Sequence, residues 1–375
     1  MKKALALVLV CVLSVACFAG CASTVSVPAA TPAPAAAPAP AAAPAAEAAP
    51  AAEAAPAEAV DPDVYQNVAP LTFKFGFISS QELTDAAHGL IADEIERLSG
   101  GAIKVERYLQ GQLYTDDNDG CIAVSEGTCE MIVMGDLMAN NAAPEIVGWA
   151  NVPFAFESYD HCANFYRAVG DAVNEKMLDV YGVRILWDNL ELRGPRVICA
   201  KKPMVAVADF NGVKFRLPST AAVVASFEAL GSNPMTSSWS EVYQILQTGV
   251  ADAAESPLST FDSISVYEVA DYCMRTNHTY SYRAIHVNDA WWQSLDDVQR
   301  EIIQKAVATG MAYFNEHESG NEETIVAKWK ENGMTVYGYD ELDIQGIKDT
   351  INPVIMDKYA SEWDMQYYDL LQSCK

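Results

Sequence analysis

The stretch from Gly194 to Ser259 decides the fold, and it reads GPRVICAKKPMVAVADFNGVKFRLPSTAAVVASFEALGSNPMTSSWSEVYQILQTGVADAAESPLS. The alternating segment at residues 213–215 predicts a short strand that ends at Arg216. Pro218 closes this strand, and the pair at residues 219–220 offers an N-cap for the next helix. Ligands of open α/β sheets gather at the edge where strands lead into helices. The pattern therefore predicts that Arg216 lies at a ligand-binding edge.

A second arginine in the stretch suggests an anion site. Arg196 opens an earlier predicted strand, residues 197–200, and it stands twenty positions before Arg216. A guanidinium is a planar fork that can give a carboxylate two parallel hydrogen bonds. The alternative for Arg216 is a structural ion pair with a glutamate of its own lobe. For Arg196, the neighbouring Arg193 is a competitor for the same role.

The second half of the stretch predicts a helix and a loop. Trp239 precedes a capped amphipathic helix, which ends at the breaker Gly249. Residues 252–257 then predict another loop at the same kind of edge. The candidate site is thus expected to draw on several segments that meet at one sheet edge.

This stretch resembles the solute-binding subunits of tripartite ATP-independent periplasmic (TRAP) transporters, of the type that binds dicarboxylates and sialic acid. The matching residues are Gly212-x-Lys214-x-Arg216-x-Pro218, Ala229-Leu230-Gly231-x-x-Pro234-Met235, Glu241-Val242-Tyr243-x-x-Leu246-Gln247-Thr248-Gly249-Val250-x-Asp252 and Glu255-x-Pro257. The resemblance extends from Phe73 to about Gly333. It implies an α/β, two-lobe, periplasmic-binding-protein-like fold with hinge strands and a long helix that spans both lobes. It also implies a ligand-binding protein without a cofactor, and not an enzyme.

The resemblance assigns roles to three residues of the stretch. Arg216 corresponds to the family's principal carboxylate-binding arginine, and Arg196 to a supporting one. Trp239 stands where the family often places an aromatic lid, which would cover the hydrocarbon part of a bound acid. The alternative for Trp239 is an ordinary place in the core.

Other predicted ligand contacts come from loops. Glu255 and Ser256 occupy the family's position for a polar ligand contact, although Ser256 is equally compatible with a plain loop serine. Asp136 follows a predicted strand at a position that the family uses for ligand contact. Either it meets an ammonium or hydroxyl group of an amino or hydroxy acid, or it caps a helix. Thr115 and Asp116 carry the same ambiguity.

The N-terminus predicts export and lipid attachment. Residues 1–20 have a basic start at Lys2 and Lys3 and an apolar core too short for a comfortable membrane span. The small residues before Cys21 resemble a lipoprotein cleavage box, which implies cleavage before Cys21 and lipid on its sulfur. The alternative is an ordinary secretory signal or an uncleaved anchor. Residues 21–70 are then an alanine- and proline-rich tether with almost no large apolar side chains.

The remaining residues predict two lobes. Strands alternating with helices predict an α/β architecture, and residues 298–331 predict one long helix without proline. We expect lobe I to comprise residues 71–193 plus 282–321. We expect lobe II to comprise residues 194–281 plus 322–375.

Composition and motifs exclude several other functions. The net charge of −26 argues against nucleic-acid binding, which rewards clustered Lys and Arg. None of the five histidines stands in a zinc-type motif, and no nucleophile elbow or glycine-rich phosphate loop is present. The histidine at 278 is expected to serve as a core or hinge hydrogen-bonding residue. Beyond Cys21, the six cysteines at 121, 129, 162, 199, 273 and 374 permit disulfides, with 121–129 and 199–273 as candidate pairs, or they are buried free thiols.

The predicted function is capture of a small organic acid in the cleft between the lobes, followed by delivery to the membrane permease subunits of a TRAP transporter. The protein would be exported and lipid-anchored at the outer face of the cell membrane or in the periplasm. The main alternative is an organic-acid sensor subunit for a membrane signalling receptor. An enzyme working in the cleft and a surface adhesin are further, less favoured classes.

Overall fold

The computed structural model describes residues 63–77, 81–109, 111–114 and 117–375. The predicted signal segment, Cys21 and the tether up to residue 62 lie outside the described residues, as do Thr115 and Asp116. The described residues, from 63 onward, belong to one compact unit.

This unit contains two β-sheets and the helices that cover them. The strands in chain order are β1 (Leu71–Gly76), β2 (Ile103–Tyr108), β3 (Met131–Met134), β4 (Val183–Arg193), β5 (Arg196–Ala200), β6 (Lys214–Leu217), β7 (Asn233–Thr236), β8 (Ala253–Pro257), β9 (Tyr272–Met274), β10 (Ser281–Asn288) and β11 (Thr335–Tyr337). The helices are α1 (Glu82–Leu98), α2 (Asp117–Ser125), α3 (Leu137–Ala142), α4 (Pro144–Val147), α5 (Tyr159–Tyr181), α6 (Ala221–Ala229), α7 (Val242–Thr248), α8 (Leu258–Ser263), α9 (Asp289–Ser294), α10 (Asp297–Glu331), α11 (Ile344–Tyr359) and α12 (Met365–Ser373).

The chain crosses between the two sheets. The first sheet has the order β2-β1-β3-β10-β4, and the second has the order β11-β9-β5-β8-β6-β7. In the first sheet β1, β2 and β3 are parallel, whereas β10 runs antiparallel to β3 and β4. The connection from β4 to β5 and the connection from β9 to β10 each pass from one sheet to the other. The predicted two-lobe α/β fold with crossing strands is confirmed.

Helix α10 is the predicted long element, and it packs against both parts of the fold. Asp296 caps its N-terminus by accepting a hydrogen bond from the backbone N–H of Gln299 at 2.8 Å. Its 35 residues span about 50 Å at 1.5 Å each. The first half packs on α1, where Gly310 allows close approach because a Cβ there would lie 2.3 Å from Ile91. The second half packs on α8 and β11, and Trp329 is fully buried there.

The prediction of a loop at residues 252–257 is wrong. Ala253–Pro257 is a strand, β8, and it lies between β5 and β6 in the second sheet. Its two alanines, glutamate and proline give it low intrinsic strand propensity. Pairing with a neighbour on each side determines its conformation instead, and this pairing cannot be read from the local sequence.

The cap predicted at residues 219–220 is only partly observed. Thr220 is the N-cap residue of α6, but its side chain makes no capping hydrogen bond. Helix α5 does have a side-chain cap, because the Ser158 hydroxyl accepts a hydrogen bond from the His161 backbone N–H.

The C-terminal segment returns to the first part of the fold. Trp363 packs edge-on against Trp149 with ring centroids 5.1 Å apart, and the carbonyl of Leu371 lies 2.7 Å from Nε2 of His161. The division into lobes at residues 193, 281 and 321 stays a prediction.

None of the six described cysteines is in a disulfide. Cys129 donates from its Sγ to the carbonyl of Met131 at 3.3 Å, while Cys121 contacts Met134, so these two cysteines do not bridge. Cys199 and Cys273 stand directly opposite each other on β5 and β9, and both are fully buried. Of the helices in the described residues, none combines the length and the apolar composition that a membrane crossing requires.

Candidate functional site

Arg216 is a buried cation without an acidic partner among the residues that the structure describes. It lies in β6 with 4% of its surface exposed. Its Nε donates to the Ser237 hydroxyl at 3.3 Å, and its Nη2 donates to the Ser237 carbonyl. Burial, followed by the nearby charge of Arg196, lowers the pKa of Arg216 to about 10, although Glu255 and Glu241 act in the opposite direction. The guanidinium remains charged at neutral pH and lacks a counter-charge in direct contact.

Trp239 lies over this guanidinium. The Arg216 carbon Cζ is 5.9 Å from the centroid of the indole ring, within the range of a cation–π contact. Trp239 is half-buried, and its ring packs against Phe261 with centroids 5.9 Å apart. It is held at the start of a short 3₁₀ turn, where the Ser238 backbone N–H donates to the Glu241 carboxylate at 3.0 Å. The predicted lid therefore contacts the predicted carboxylate-binding arginine.

Arg196, in contrast, already has a carboxylate. Its Nη2 donates to Oε1 of Glu255 at 2.7 Å, and its Nε donates to Oε2. Burial would raise the pKa of Glu255, but the charge of Arg196 and hydrogen bonds from His278 and Arg196 outweigh it and hold that pKa well below its usual range. The Nη1 of Arg196 makes no hydrogen bond within the described residues.

Glu255 therefore forms an ion pair with Arg196, and its predicted contact with a ligand stays a prediction. It is fully buried, and both of its oxygens accept from the arginine. His278 supports it from the other side, with Nε2 at 3.4 Å from Oε2, while Nδ1 of His278 lies 2.7 Å from the Thr276 hydroxyl. His278 is buried in the segment that crosses between the sheets, and its role as a core or hinge residue stays a prediction.

Ser256 and Asp136 have side chains without partners in the described part of the chain. Ser256 is 2% exposed, and it lies on the same face of the second sheet as Arg216, because Arg216 pairs with Ala254 and side chains of one strand share a face at every second residue. Asp136 is half-buried at the start of α3, and its side chain makes no capping hydrogen bond. Its charge contributes to the raised pKa of Arg196, so the two groups interact across the fold.

Sequence reasoning missed a second buried group of the same type in the first sheet. Glu191 accepts from Nη1 of Arg283 at 2.9 Å, and its other oxygen lies 2.9 Å from Nε2 of His88. Burial would raise the pKa of Glu191, but Arg283 and His88 lower it to about 2. The local sequence carries no clear signal for this group, because β4 contains other charged residues besides Glu191.

Gln81 and Thr260 link the edges of the two sheets. Gln81 precedes α1 on the first-sheet side, and Thr260 lies in α8, directly after β8 of the second sheet. The Gln81 side-chain amide donates to the Thr260 hydroxyl at 2.8 Å. In the part of the chain that the structure describes, no group of three or more His, Cys, Asp and Glu side chains could hold a metal ion.

The chain matches the family model of the bacterial extracellular solute-binding proteins, family 7 (DctP), over residues 78–362. Among curated proteins, the chain is 28% identical to the sialic acid-binding periplasmic protein SiaP of Vibrio cholerae, with 72% of this chain and 83% of that protein covered. It is 27% identical to the C4-dicarboxylate-binding periplasmic protein DctP of Rhodobacter capsulatus, with 72% and 80% covered.

Solved structures agree in fold. A TRAP periplasmic solute-binding protein from Sulfurospirillum deleyianum with bound succinate matches with a TM-score of 0.73 and 23% identity, covering 82% of this chain and 100% of that chain. One from Roseobacter denitrificans with bound L-galactonate matches with a TM-score of 0.72 and 24% identity, covering 82% and 99%. The family match spans well over half of the chain. The chain therefore belongs to family 7 of the bacterial extracellular solute-binding proteins, the solute-binding proteins of TRAP transporters, and it is a binding protein of the two-lobe type.

Proposed function

We propose that this protein captures a small organic acid between its two sheets and delivers it to the membrane permease subunits of a TRAP transporter. The observation that carries the proposal is Arg216, a buried guanidinium that hydrogen-bonds to Ser237, lies under Trp239 and forms no ion pair with a described residue. Burying a cation without a counter-charge is costly, and a carboxylate bound to the guanidinium would offset that cost.

The neighbouring residues suit an acid in this position. One amino group of Arg216, Nη1, makes no hydrogen bond to the described residues. Its N–H groups would therefore be available to donate to a ligand. Arg196 would support the carboxylate of the ligand through its unused Nη1. Glu255, which contacts His278, would fix the orientation of the Arg196 side chain. Trp239 would cover the hydrocarbon part of the acid. We propose Ser256 and Asp136 as polar contacts, with Asp136 suited to an ammonium or hydroxyl group, and Thr115 and Asp116 as further contacts.

Binding would favour closure of the two lobes. We propose the division 71–193 plus 282–321 for lobe I and 194–281 plus 322–375 for lobe II. The hydrogen bond between Gln81 and Thr260 lies where the two edges meet, so it is a contact that closure would make and opening would break. A ligand that touches both edges would bind the closed form more tightly and shift the population toward it.

Relatives support the transporter partner over the sensor alternative. Two of them are named as periplasmic proteins that bind sialic acid and C4-dicarboxylates, and the similar solved structures are TRAP solute-binding proteins. The energy for transport would then come from the permease. We also propose that the protein has no catalytic activity of its own.

The N-terminal residues support export with a lipid anchor. Cleavage before Cys21 and lipid on its sulfur would hold the protein at the outer face of a membrane, and residues 21–70 would act as the spacer. A Cys21→Ser variant should be released into the soluble extracellular or periplasmic fraction. Mass spectrometry of the mature N-terminus should find a lipid-modified Cys21 in the unaltered protein.

The decisive experiment identifies the ligand. Protein purified without denaturation is analysed by mass spectrometry for co-purified small molecules, and calorimetry then measures binding of a panel of organic acids. We expect at least one carboxylate to bind, with its affinity dependent on Arg216. Binding of uncharged solutes alone, or affinity that Arg216→Ala leaves unchanged, would refute the proposed function.

A further inference from the structure

Two buried cysteines face each other where the second sheet receives both crossings from the first sheet. Cys199 lies in β5, the strand that follows the crossing from β4, and Cys273 lies in β9, the strand that precedes the crossing to β10. The register of these antiparallel strands places the two residues directly opposite each other. Directly opposed side chains of an antiparallel pair lie on one face of the sheet, so the two sulfur atoms share that face.

Backbone hydrogen bonds identify this as the closer of the two kinds of opposed pair. The Ala200 carbonyl accepts from the backbone N–H of Asp271 at 3.1 Å, on the β9 side, and Lys201 donates its N–H at 3.0 Å on the β8 side. Because successive residues of a strand direct these groups to alternate sides, Cys199 directs its own toward β8. Cys199 and Cys273 are therefore a non-hydrogen-bonded pair. In such a pair the Cα atoms approach to about 4.5 Å, a distance that a disulfide can span.

The pair is enclosed in the hydrophobic cluster of the second sheet. Both cysteines are fully buried, and the same cluster contains Leu246 of α7, Phe261 of α8 and Trp329 of α10. Burial first, and then the hydrogen bond and the charge of Cys273, raise the pKa of the Cys199 thiol. The two thiols therefore interact with each other, and the folded dithiol is a poor nucleophile because the thiolate is the reactive form.

The other buried cysteines are placed differently. Of the cysteines in the described residues, only Cys199 and Cys273 lie in strands. The sulfur of Cys129 donates to the Met131 carbonyl at 3.3 Å, and that of Cys162 donates to the Tyr280 carbonyl at 3.9 Å. These two thiols are thus directed at backbone oxygens, whereas the thiols of the strand pair are directed at each other.

We propose that Cys199 and Cys273 are a site of oxidative modification, where a cross-strand disulfide forms when the chain folds in an oxidising compartment. Relatives of this chain are periplasmic proteins, and disulfides form and persist outside the cytoplasm. The bond joins β5 to β9 beside both crossings and closes residues 199–273 into a loop. It therefore fixes the spacing of the two crossing segments at the second sheet. The inference goes beyond ligand capture and does not depend on Arg216.

The oxidant is the disulfide of a thiol–disulfide exchange partner, and the step balances as an exchange. One cysteine thiolate attacks the partner disulfide, which breaks its S–S bond, releases one partner thiolate and leaves a mixed disulfide. The second cysteine thiolate attacks the first cysteine sulfur and releases the other partner thiolate. The cysteine pair has then lost two electrons and two protons, and the partner has become a dithiol. Since a partner cannot reach the pair in the folded sheet, the exchange takes place before α10 covers it.

Peptide mapping tests the inference on the unaltered protein. The purified protein is reduced in urea and refolded with oxidised and reduced glutathione; remaining thiols are then blocked and the protein is digested with trypsin without reduction. Trypsin cleaves between the two cysteines, so Cys199 falls in the peptide 197–201 and Cys273 in the peptide 217–275. We expect mass spectrometry to find these two peptides linked. In the folded protein dithiothreitol should leave the link intact, and in urea it should break it.

Stability and a matched control give a second readout. A cross-link lowers the entropy of the unfolded chain, so the oxidised protein should unfold at a temperature higher than the reduced protein by about 5 °C or more. Cys273→Ala should remove both this difference and the linked peptides. Cys162→Ala removes a thiol that is equally buried but faces a carbonyl, and it should keep both. If a variant fails to fold, the peptide map of the unaltered protein decides by itself.

Three results would overturn the inference. The first is that the two peptides remain separate after oxidative refolding, with blocked or glutathione-bound cysteines. The second is that Cys199 and Cys273 become linked to other cysteines instead of to each other. The third is a link that dithiothreitol breaks as fast in the folded protein as in urea, which the buried position does not allow. None of these results affects the proposed capture of an organic acid.

Discussion

Arg196 and Arg216 lie in the same sheet, on strands separated only by β8, but their surroundings are opposite. Arg196 is joined by two hydrogen bonds to Glu255, a fully buried carboxylate. Arg216 contacts the neutral oxygens of Ser237 and the face of Trp239. The fold therefore neutralises Arg196 internally and leaves the buried Arg216 without a counter-charge in direct contact among the described residues.

The first sheet repeats only the neutralised arrangement. Arg283, Glu191 and His88 match Arg196, Glu255 and His278 in residue types and in contacts. Such groups are costly to break but offer little to a ligand, because their charges are already satisfied. We infer from this difference that a buried charge is a candidate for ligand binding here only where its counter-charge is missing.

Arg216→Ala tests the arginine that lacks a carboxylate partner, and it should have the largest effect on binding. We expect it to weaken binding of the identified acid by roughly 3–5 kcal/mol, because a desolvated ion pair is lost. Calorimetry with the acid measures the loss. Arg216→Lys keeps the charge but not the planar fork. Its affinity for the acid should therefore lie between that of the unaltered protein and that of Arg216→Ala.

Stability provides the control for this prediction. Since Arg216 has no carboxylate partner in the described residues, removing it should leave the free energy of unfolding unchanged or slightly higher. A large fall in stability with full affinity retained would show that Arg216 is a structural residue and would remove the contrast with Arg196.

Glu255→Gln tests the arginine that has a carboxylate partner, Arg196. Its effect should appear in the free energy of unfolding. Removing the negative charge leaves Arg196 buried without a counter-charge, which should cost about 3–5 kcal/mol in the free energy of unfolding. Urea denaturation measures this cost. The double change Glu255→Gln with Arg196→Met should recover much of it, because both charges are then gone. A single variant as stable as the unaltered protein would contradict the contrast.

Much of the fold follows from local sequence because its signals are local. The Asp296 cap and an unbroken helical run mark the long helix α10, and Ser158 marks the start of α5. The residues of β8 carry no such signal, since two alanines, a glutamate and a proline acquire their strand geometry only from the neighbours β5 and β6. Tertiary pairing, and not propensity, determined that element.

Some residues of the candidate site could likewise be predicted from sequence, whereas the contacts between them could not. Motif resemblance could indicate Arg196, Arg216 and Trp239, because these residues stand at fixed intervals in one stretch. It could not show that Glu255 faces Arg196, because that contact depends on the register between β5 and β8. The partners Arg283, Glu191 and His88 come from three distant segments, so only the fold brings them together.

Acid titration should distinguish the ion-paired group of the first sheet, Glu191 with Arg283 and His88, from the unpaired Arg216. The pKa of Glu191 is lowered to about 2, from 4.5, so its stabilising contribution is present above pH 4.5 and is lost as the pH falls toward 2. The shift corresponds to about 3 kcal/mol for this fully buried group. Unfolding measured across this range should show the loss, and Glu191→Gln should remove its share. If that variant lost stability over the same range as steeply as the unaltered protein, Glu191 would not be the source.

Trp239→Leu should have the smallest effect, and it tests what takes the place of a counter-ion at Arg216. A cation–π contact is worth about 1 kcal/mol, which is far weaker than the ion pair of Arg196. We expect Trp239→Leu to weaken acid binding by about that amount, and Trp239→Phe, which keeps an aromatic face, to weaken it less. Calorimetry compares both with Arg216→Ala.

The size of the Trp239 effect shows how Arg216 is held while it remains available to a ligand. An aromatic face stabilises the guanidinium without using any of its hydrogen-bond donors. Nε and Nη2 of Arg216 donate to neutral oxygens of Ser237, whereas the same two nitrogens of Arg196 donate to the Glu255 carboxylate. The fold can therefore hold Arg216 in place without neutralising it, and its Nη1 makes no hydrogen bond to the described residues. If Trp239→Leu lowered the free energy of unfolding by several kcal/mol with affinity unchanged, Trp239 would be a core residue resting on Phe261, and Ser237 alone would hold Arg216 for the ligand.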